Sequence, residues 1–228
     1  MGDVYGLIFD VDGVVADTER VNAEASIKVF ADLFGVQGVI RSDFEAGLGR
    51  GAAEYVRAAA RVHGLELSDE QVSVATEARQ SNFMAMLRND PLPAFPGVLE
   101  LMEAAMIRKD FRVGIATSST REKSEAVLKS ARIPYTRMAY VTGSDVKNKK
   151  PDPELFETAA GRLGLDPAQC VVIEDAPDGV AAAHAAGCRC IAVTNSAKAE
   201  KLAAADRIVS TLEEVDLQTI VDLIEQGD

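Results

Sequence analysis

The sequence lacks several features that would place the protein in a membrane, outside the cell or on nucleic acid. No apolar run reaches the roughly 18 residues of a membrane-spanning helix, and no basic stretch precedes an apolar one at the N-terminus. We therefore expect no membrane segment, no secretion signal and a cytoplasmic location. Basic residues are few: 24 lysines and arginines stand against 36 aspartates and glutamates, a net charge of −12. This balance argues against nucleic acid as a partner, although local cations or a metal could still hold a small anion.

Cysteine and histidine are also scarce, with three and two residues in a chain of 228. An odd number of cysteines, namely Cys170, Cys188 and Cys190, indicates free thiols in a reducing compartment. Cys188 and Cys190 have the spacing of one strand face, and no second pair accompanies them, so we interpret them as structural and not as half of a metal site. His63 and His184 lie away from the motifs described below, and we interpret both as structural.

Short apolar runs alternate with helical patterns along most of the chain. The runs predict strands at residues 4–8, 111–116, 138–142, 170–173, 190–193 and 207–209. Helical patterns lie between them, including residues 153–164 and 178–187. Such alternation predicts parallel βαβ units, and strands that are apolar on both faces require helices on both faces of the sheet. We therefore predict an α/β fold with a Rossmann-like parallel sheet.

A helical insert interrupts this pattern after the first strand. Helical spacing covers residues 23–34, 51–63 and 68–87, and a proline-rich stretch at 89–97 leads back to the alternating pattern. Ser68 to Gln71 has the form of a capping box. We therefore predict two domains, an α/β core of residues 1–16 and 93–228 and a helical domain of residues 17–92.

Side chains that suit metal and phosphate chemistry follow four of the predicted strands. In strand order they are Asp10 and Asp12, Thr117 and Ser118, Lys149 and Lys150, and Glu174 and Asp175. Ligands of open α/β sheets bind at the carboxyl ends of the strands, so we expect these side chains to share one edge. Each pair alone is ordinary turn or helix-cap chemistry, but four of them at one edge predict a site.

The chemistry of these side chains favours phosphoryl transfer. Crowded carboxylates repel one another unless a cation bridges them, and ligand sets of oxygen alone suit Mg²⁺. A lysine beside the metal suits a phosphoryl group, whose transfer depends on positioning and charge stabilisation. One carboxylate can act as a nucleophile, and a second one, two residues further on, can transfer protons.

These motifs resemble those of the haloacid dehalogenase superfamily of phosphotransferases. Asp10–Glu19 resembles the first motif, Asp-x-Asp-Gly-x-x-x-Asp-Ser/Thr-Glu, and Gly114–Thr117 the second, an apolar strand that ends in serine or threonine. Lys150–Pro153 resembles the third and Val172–Gly179 the fourth. The resemblance covers nearly the whole chain, includes a helical cap at the same point, and is strongest to the β-phosphoglucomutase-like group of sugar-phosphate enzymes.

The resemblance implies roles for the carboxylates. Asp10 would be the nucleophile and a Mg²⁺ ligand, and Asp12 the general acid/base, with its backbone carbonyl on the metal. Asp175 would bind the metal, with Glu174 beside or behind it. Because dehalogenases lack an acid at the position of Asp12, its presence implies phosphate-ester chemistry.

The resemblance also implies roles for the other strand-end residues. Thr117 would hold the phosphoryl group through its hydroxyl, and Ser118 through its backbone N–H. Lys150 would balance the charge of the nucleophile and the phosphate, with Lys149 as its rival for that role.

Residues of the helical insert are candidates for substrate contact. Gly47-Leu48-Gly49-Arg50 resembles the cap loop of the mutase, so Gly47 and Arg50 would meet a second phosphate or a sugar acid. The alternative for Arg50 is a solvated helix N-terminus. Asn22 stands where the mutase has a histidine that pairs with its acid/base, and asparagine does not titrate. Arg79 is a further candidate.

We therefore expect a Mg²⁺-dependent phosphatase that acts on a small phosphorylated metabolite, foremost a sugar phosphate, through an aspartyl-phosphate. The alternative is a hexose-phosphate mutase of the β-phosphoglucomutase type, and a third reading is a non-catalytic metabolite-binding protein. We take a monomer as the default.

Overall fold

A computed structural model describes residues 4–47 and 51–226 of the chain. Arg50, a predicted substrate contact, thus lies outside the described residues. The chain divides into two compact units, one formed by Thr18–Pro91 and the other by the residues before and after this segment. The division into a core domain and a cap of residues 17–92 remains our proposal, and each unit is described by itself below.

The first unit contains a sheet of six parallel strands. They are β1 (Tyr5–Phe9), β2 (Phe111–Ala116), β3 (Ala139–Val141), β4 (Cys170–Glu174), β5 (Arg189–Val193) and β6 (Arg207–Val209). Their order is β3-β2-β1-β4-β5-β6, so the direction of winding reverses between β1 and β4. This topology confirms the predicted α/β class, and β3 is one residue shorter at each end than its sequence pattern predicts.

Eight α-helices lie within the described residues. They are α1 (Thr18–Phe34), α2 (Ala52–Val62), α3 (Asp69–Asn89), α4 (Val98–Met106), α5 (Arg121–Ser130), α6 (Glu154–Leu163), α7 (Pro177–Ala185) and α8 (Leu217–Glu225). The sequence patterns did not predict α8, and they placed the start of α1 five residues too late. Within the described ranges, we find no helix long and apolar enough to cross a bilayer.

Helices cover the sheet on both faces, which explains why its strands are apolar throughout. On one face, Phe156 of α6 and Val180 of α7 belong to a buried cluster with Ile8 and Val172 of the sheet. On the other face, α4 contacts β2, and α8 contacts β1 and β4. All five residues of β1 are buried, so the strand that leads into the first motif is fixed by the core.

The three cysteines are buried, and each of the two histidines pairs with an aspartate. Cys170, Cys188 and Cys190 are buried free thiols. Cys188 lies just before β5, so the two nearby thiols do not share a strand as predicted. His63 pairs with an aspartate at 2.8 Å, and His184 with another at 2.9 Å.

The second unit is helical and has its own aromatic core. Phe44, in a 3-10 helix at Arg41–Gly47, packs edge-on to Phe30 of α1 and stacks on Tyr55 of α2, with ring centroids 5.8 and 4.7 Å apart. The predicted capping box before α3 is confirmed: Gln71 N–H donates to the Ser68 hydroxyl, and Ser68 N–H donates to the Gln71 side chain.

Candidate active site

The site residues of the first unit collect where the sheet reverses its winding. Asp10 follows the last residue of β1, and its N–H donates to the carbonyl of Ile173 in the neighbouring β4 at 3.0 Å. Glu174 is the last residue of β4, and Asp175 comes directly after it. Because β1 and β4 are adjacent and parallel, both carboxyl ends reach the same point of the edge.

Asp10, Glu174 and Asp175 form what we call the carboxylate cluster. Each contributes an oxygen that lies within 4.8 Å of the other two, and all three residues are buried. Lys150 Nζ donates to Asp10 Oδ1 at 2.7 Å and also to Glu174 Oε1. Lys149 is exposed, so it is Lys150 that contacts the cluster.

Glu174 differs from the other two members in how completely its oxygens are bonded. Oε1 accepts from Lys150, and Oε2 accepts from the backbone N–H groups of Asp175 at 2.7 Å and Ala176 at 3.0 Å. Its carboxylate therefore holds the lysine and the start of the loop after β4. Asp10 and Asp175 have more oxygen capacity left for a further ligand.

The cluster has more negative than positive charge. Burial is the main cause that raises the pKa of Asp10 to about 7; Glu174 and Asp12 raise it too, while Lys150 lowers it. Burial and the charges of Glu174 and Asp10 also raise the pKa of Asp175 well above its usual range. Burial alone would lower the pKa of Lys150, but Asp10 and Glu174 raise it above its ordinary value. Lys150 thus stays charged, and its single positive charge does not neutralise the three carboxylates around it.

This donor set fits a hard divalent cation. The cluster offers only carboxylate oxygens, the ligands that Mg²⁺ and Ca²⁺ take. The pKa values of Asp10 and Asp175 are raised, as happens to buried carboxylates that lack enough positive charge nearby. Gly13 leaves room for the carboxylate of Asp175. A Cβ at Gly13, whose φ is +80°, would lie 1.8 Å from Asp175 Oδ2. A Cβ at Gly179 would likewise lie 1.9 Å from Glu174 Oε1. Both positions therefore require glycine.

The residues after β2 form a compact polar turn. Thr117 is buried, and its N–H donates to the carbonyl of Val141 in β3 at 3.1 Å. Its Oγ1 accepts from the N–H of Ser119 at 3.1 Å. Ser118 lies between them and is half-buried. The hydroxyl of Thr117 therefore stands at the carboxyl edge, fixed by backbone contacts on both sides.

Asp12 is held by two residues that the motifs did not identify. Ser119 Oγ donates to Asp12 Oδ2 at 2.6 Å, and Lys123 Nζ donates to Asp12 Oδ1 at 3.0 Å. Ser119 belongs to the polar run after β2, so its strand-end position could have indicated it. Lys123 lies in the first turn of α5, where no motif marks it.

A further contact comes from the residues after β5, a strand end that none of the four motifs includes. Asn195 Nδ2 donates to the carbonyl of Gly13 at 2.9 Å. It therefore ties the segment after β5 to the loop that follows Asp10. The polar run Thr194-Asn195-Ser196 after an apolar strand was the available signal.

The predicted substrate contacts of the helical unit have mainly internal contacts. Asn22 is half-buried in α1, and its carbonyl accepts from Ser26 Oγ at 2.7 Å. Gly47 is buried, and a Cβ there would lie 2.5 Å from Cα of Tyr55. The guanidinium of Arg79 lies over the ring of Tyr55 at 5.3 Å. Their roles in binding substrate remain predictions.

Comparison with known sequences supports these motifs. The family model described as haloacid dehalogenase-like hydrolase matches residues 6–187. SUPPRESSOR OF QUENCHING 1, a chloroplastic protein of Arabidopsis thaliana, is 36% identical over 84% of this chain, which spans only 18% of that protein's length. Validoxylamine A 7′-phosphate phosphatase of Streptomyces hygroscopicus subsp. limoneus is 32% identical, over 91% of this chain and 94% of its own.

Comparison with solved structures supports the fold over nearly its whole length. The crystal structure of CbbY from Rhodobacter sphaeroides in complex with xylulose-(1,5)bisphosphate superposes with a TM-score of 0.80 and 26% identity. The match covers 95% of this chain and 99% of that one. The fold is therefore shared with this relative over nearly the whole length of both chains, and the likeness is not confined to the motifs.

Proposed function

The chain belongs to the haloacid dehalogenase-like hydrolases, and on this premise we propose that it is a Mg²⁺-dependent phosphatase of small phosphorylated metabolites. The observation that carries the proposal is the carboxylate cluster with its single lysine. Asp10 lies 2.7 Å from Lys150 and within reach of two further carboxylates, at the point where sheets of this topology bind ligands. The helical unit is our candidate for the cap domain.

In the first step, an oxygen of Asp10 attacks the phosphorus of the substrate. The new bond joins Asp10 Oδ to phosphorus, the bond from phosphorus to the substrate oxygen breaks, and Asp12 gives its proton to the leaving oxygen. Lys150 holds Asp10 in place and offsets the negative charge of the incoming group. Thr117 Oγ and the Ser118 N–H are the proposed contacts to the phosphoryl oxygens.

In the second step, a water molecule hydrolyses the aspartyl-phosphate. Asp12, now a carboxylate, takes a proton from the water while the water oxygen bonds to phosphorus. The bond from phosphorus to Asp10 breaks, inorganic phosphate leaves, and both aspartates return to their starting forms.

Mg²⁺ would be held by Asp10, Asp175 and the backbone carbonyl of Asp12, with Glu174 beside or behind them. Mg²⁺ bound there would offset the repulsion between the carboxylates and the phosphoryl group and orient that group for in-line attack. The raised pKa values of Asp10 and Asp175 support this assignment, because both are buried carboxylates in need of positive charge.

Two relatives support a sugar phosphate or a similar polyol phosphate as substrate. One is a phosphatase of validoxylamine A 7′-phosphate, and the other is bound to xylulose-(1,5)bisphosphate. A screen of phosphate monoesters with Mg²⁺ and detection of free phosphate tests the proposal. We expect turnover of at least one sugar phosphate. If no phosphate is released from any compound in the screen, a non-catalytic binding protein would be favoured.

A hexose-phosphate mutase is the second candidate, favoured by the resemblance of Gly47–Arg50 to the mutase loop. Asn22 argues against it, because an asparagine does not titrate. The two candidates differ in where the phosphoryl group goes. With β-glucose 1-phosphate and a bisphosphate primer, a phosphatase releases phosphate faster than it forms the 6-phosphate isomer, and a mutase does the opposite.

A further inference from the structure

Both carboxylate oxygens of Asp12 accept a hydrogen bond from outside the motif that contains it. Oδ2 accepts from Ser119 Oγ at 2.6 Å, and Oδ1 accepts from Lys123 Nζ at 3.0 Å. We call Ser119 and Lys123 the Asp12 clamp. The side chain of Lys123 is 15% exposed and that of Asp12 31%, so this ion pair is partly shielded from water.

The clamp is itself anchored by the backbone on both sides. Thr120 caps α5 by accepting from the N–H of Lys123 at 3.4 Å, which places the lysine in the first helical turn. The N–H of Ser119 donates to Thr117 Oγ1, and its carbonyl accepts from the N–H of Gly143 at 2.9 Å. The two donors therefore reach Asp12 from a fixed frame.

Asp10 and Asp12 differ in what holds them. The side chain of Asp10 is 7% exposed and packed within the cluster, whereas that of Asp12, two residues further on, is 31% exposed. Burial thus restricts Asp10, whereas the more exposed Asp12 depends more on hydrogen bonds to keep its carboxylate in one rotamer. Proton transfer requires the carboxylate within hydrogen-bond reach of the reacting oxygen, so its direction matters.

We propose that Ser119 and Lys123 orient the carboxylate of Asp12 for proton transfer, which makes Lys123 a positioning residue of the reaction. This inference rests on the proposed function, in which Asp12 is the acid/base. Each of the two reacting carboxylates then has its own lysine, Lys150 for Asp10 and Lys123 for Asp12. Lys123 acts through Asp12 and does not contact the substrate.

Steady-state kinetics of three lysine variants test the role, using a sugar phosphate that the wild type turns over. Lys123→Met keeps the length of the stem but removes the donor, and we expect kcat to fall about 10- to 100-fold with KM within about twofold. Lys123→Arg should recover part of kcat, because it restores a charged donor. Lys129→Met is the matched control, since Lys129 lies on the same helix, is 65% exposed and pairs with Glu125 on that helix; it should behave as wild type.

A double-mutant cycle separates positioning of Asp12 from contact with the substrate. In the Asp12→Asn background, Lys123→Met should cost little further activity, because there is no acid/base left to orient. An equal loss in both backgrounds, or a rise in KM with unchanged kcat, would show that Lys123 binds substrate and would overturn the proposal.

Stability measurements keep folding effects apart from catalysis. Urea unfolding gives the free energy of unfolding of each variant and shows whether a loss of activity comes from unfolding of the protein. If Lys123→Met does not fold, Ser119→Ala removes the other contact, and its loss in kcat must again vanish in the Asp12→Asn background. An inactive wild type would refute the proposed function together with the clamp, whereas an active wild type with an unaffected Lys123→Met variant would refute the clamp alone.

Discussion

The carboxylate cluster and Asp145, which both lie near the carboxyl ends of the strands, have opposite electrostatic surroundings. The carboxylate cluster has three acids and one lysine in contact. In the loop after β3, Asp145 is a single acid with two arginines, Arg121 at 2.9 Å and Arg162 at 3.0 Å. It also accepts from Thr142, from the N–H at 2.8 Å and the hydroxyl at 2.6 Å. The carboxylate cluster therefore has too little positive charge nearby, whereas Asp145 has several hydrogen-bond donors and two positive charges.

The pKa values move in opposite directions accordingly. Burial raises the pKa of Asp10 and of Asp175, because their partners do not compensate for the lost water. Burial would also raise the pKa of Asp145, but hydrogen bonds from Thr142 and Arg162 hold it well below its usual range. A satisfied carboxylate of this kind stabilises a loop, and an unsatisfied cluster is a place for a cation and a reaction.

The largest expected effect comes from Asp10→Asn. Turnover should fall on the order of 10⁴-fold or more, since the amide cannot attack phosphorus. The fold should persist, because an amide keeps the size of the side chain and removes one charge from a crowded site. Phosphate release and circular dichroism measure the two properties. Retained turnover would refute the aspartyl-phosphate mechanism.

Removal of divalent metal is expected to have the next largest effect. With EDTA, turnover should drop to background, and added Mg²⁺ should restore it. In thermal melts, Mg²⁺ should also stabilise the wild type, by about 2.7 kcal/mol at a hundredfold excess over Kd. Asp175→Asn should lose most of this stabilisation. Equal stabilisation of both proteins would place the metal elsewhere.

Asp145→Asn is expected to affect stability more than chemistry. It leaves two arginines without their shared partner, and the free energy of unfolding should fall by about 1–3 kcal/mol. Stabilisation by Mg²⁺ should remain at the wild-type value, because Asp145 is not part of the cluster. A variant that unfolds normally but no longer responds to Mg²⁺ would remove the distinction between the two groups.

The smallest and most diagnostic effect is the sign of the pH dependence. The pKa of Asp10 is raised from 3.8 to about 7, so in EDTA the wild type should lose stability relative to Asp10→Asn as the pH rises from about 4 to about 7. The lowered pKa of Asp145 has the opposite sign: its contribution is present above pH 3.8 and is lost as the pH falls below that value. Urea titrations across pH 3 to 8 compare the two variants, and slopes of the same sign would contradict the contrast.

Much of the site could be predicted because parallel strands bring their carboxyl ends to one edge. Asp10, Thr117, Glu174 and Asp175 each follow an apolar run, and that position alone indicates a common site. Ser119 and Asn195 also follow strands, and the polar runs after β2 and β5 are the sequence signals that indicate them. Lys123 could not be found in this way, because a lysine in a helical first turn is ordinary in sequence.

The sequence by itself determined the α/β class, the helical insert and the residue types of the site, because hydrophobic periodicity and strand-end motifs are local features. Only the tertiary structure decided that Lys150 and not Lys149 contacts Asp10, that both oxygens of Glu174 are already bonded, and that Lys123 reaches Asp12. The physical reason is that these contacts join segments that are far apart in the chain. Their distances depend on how helices pack on the sheet, which no local pattern records.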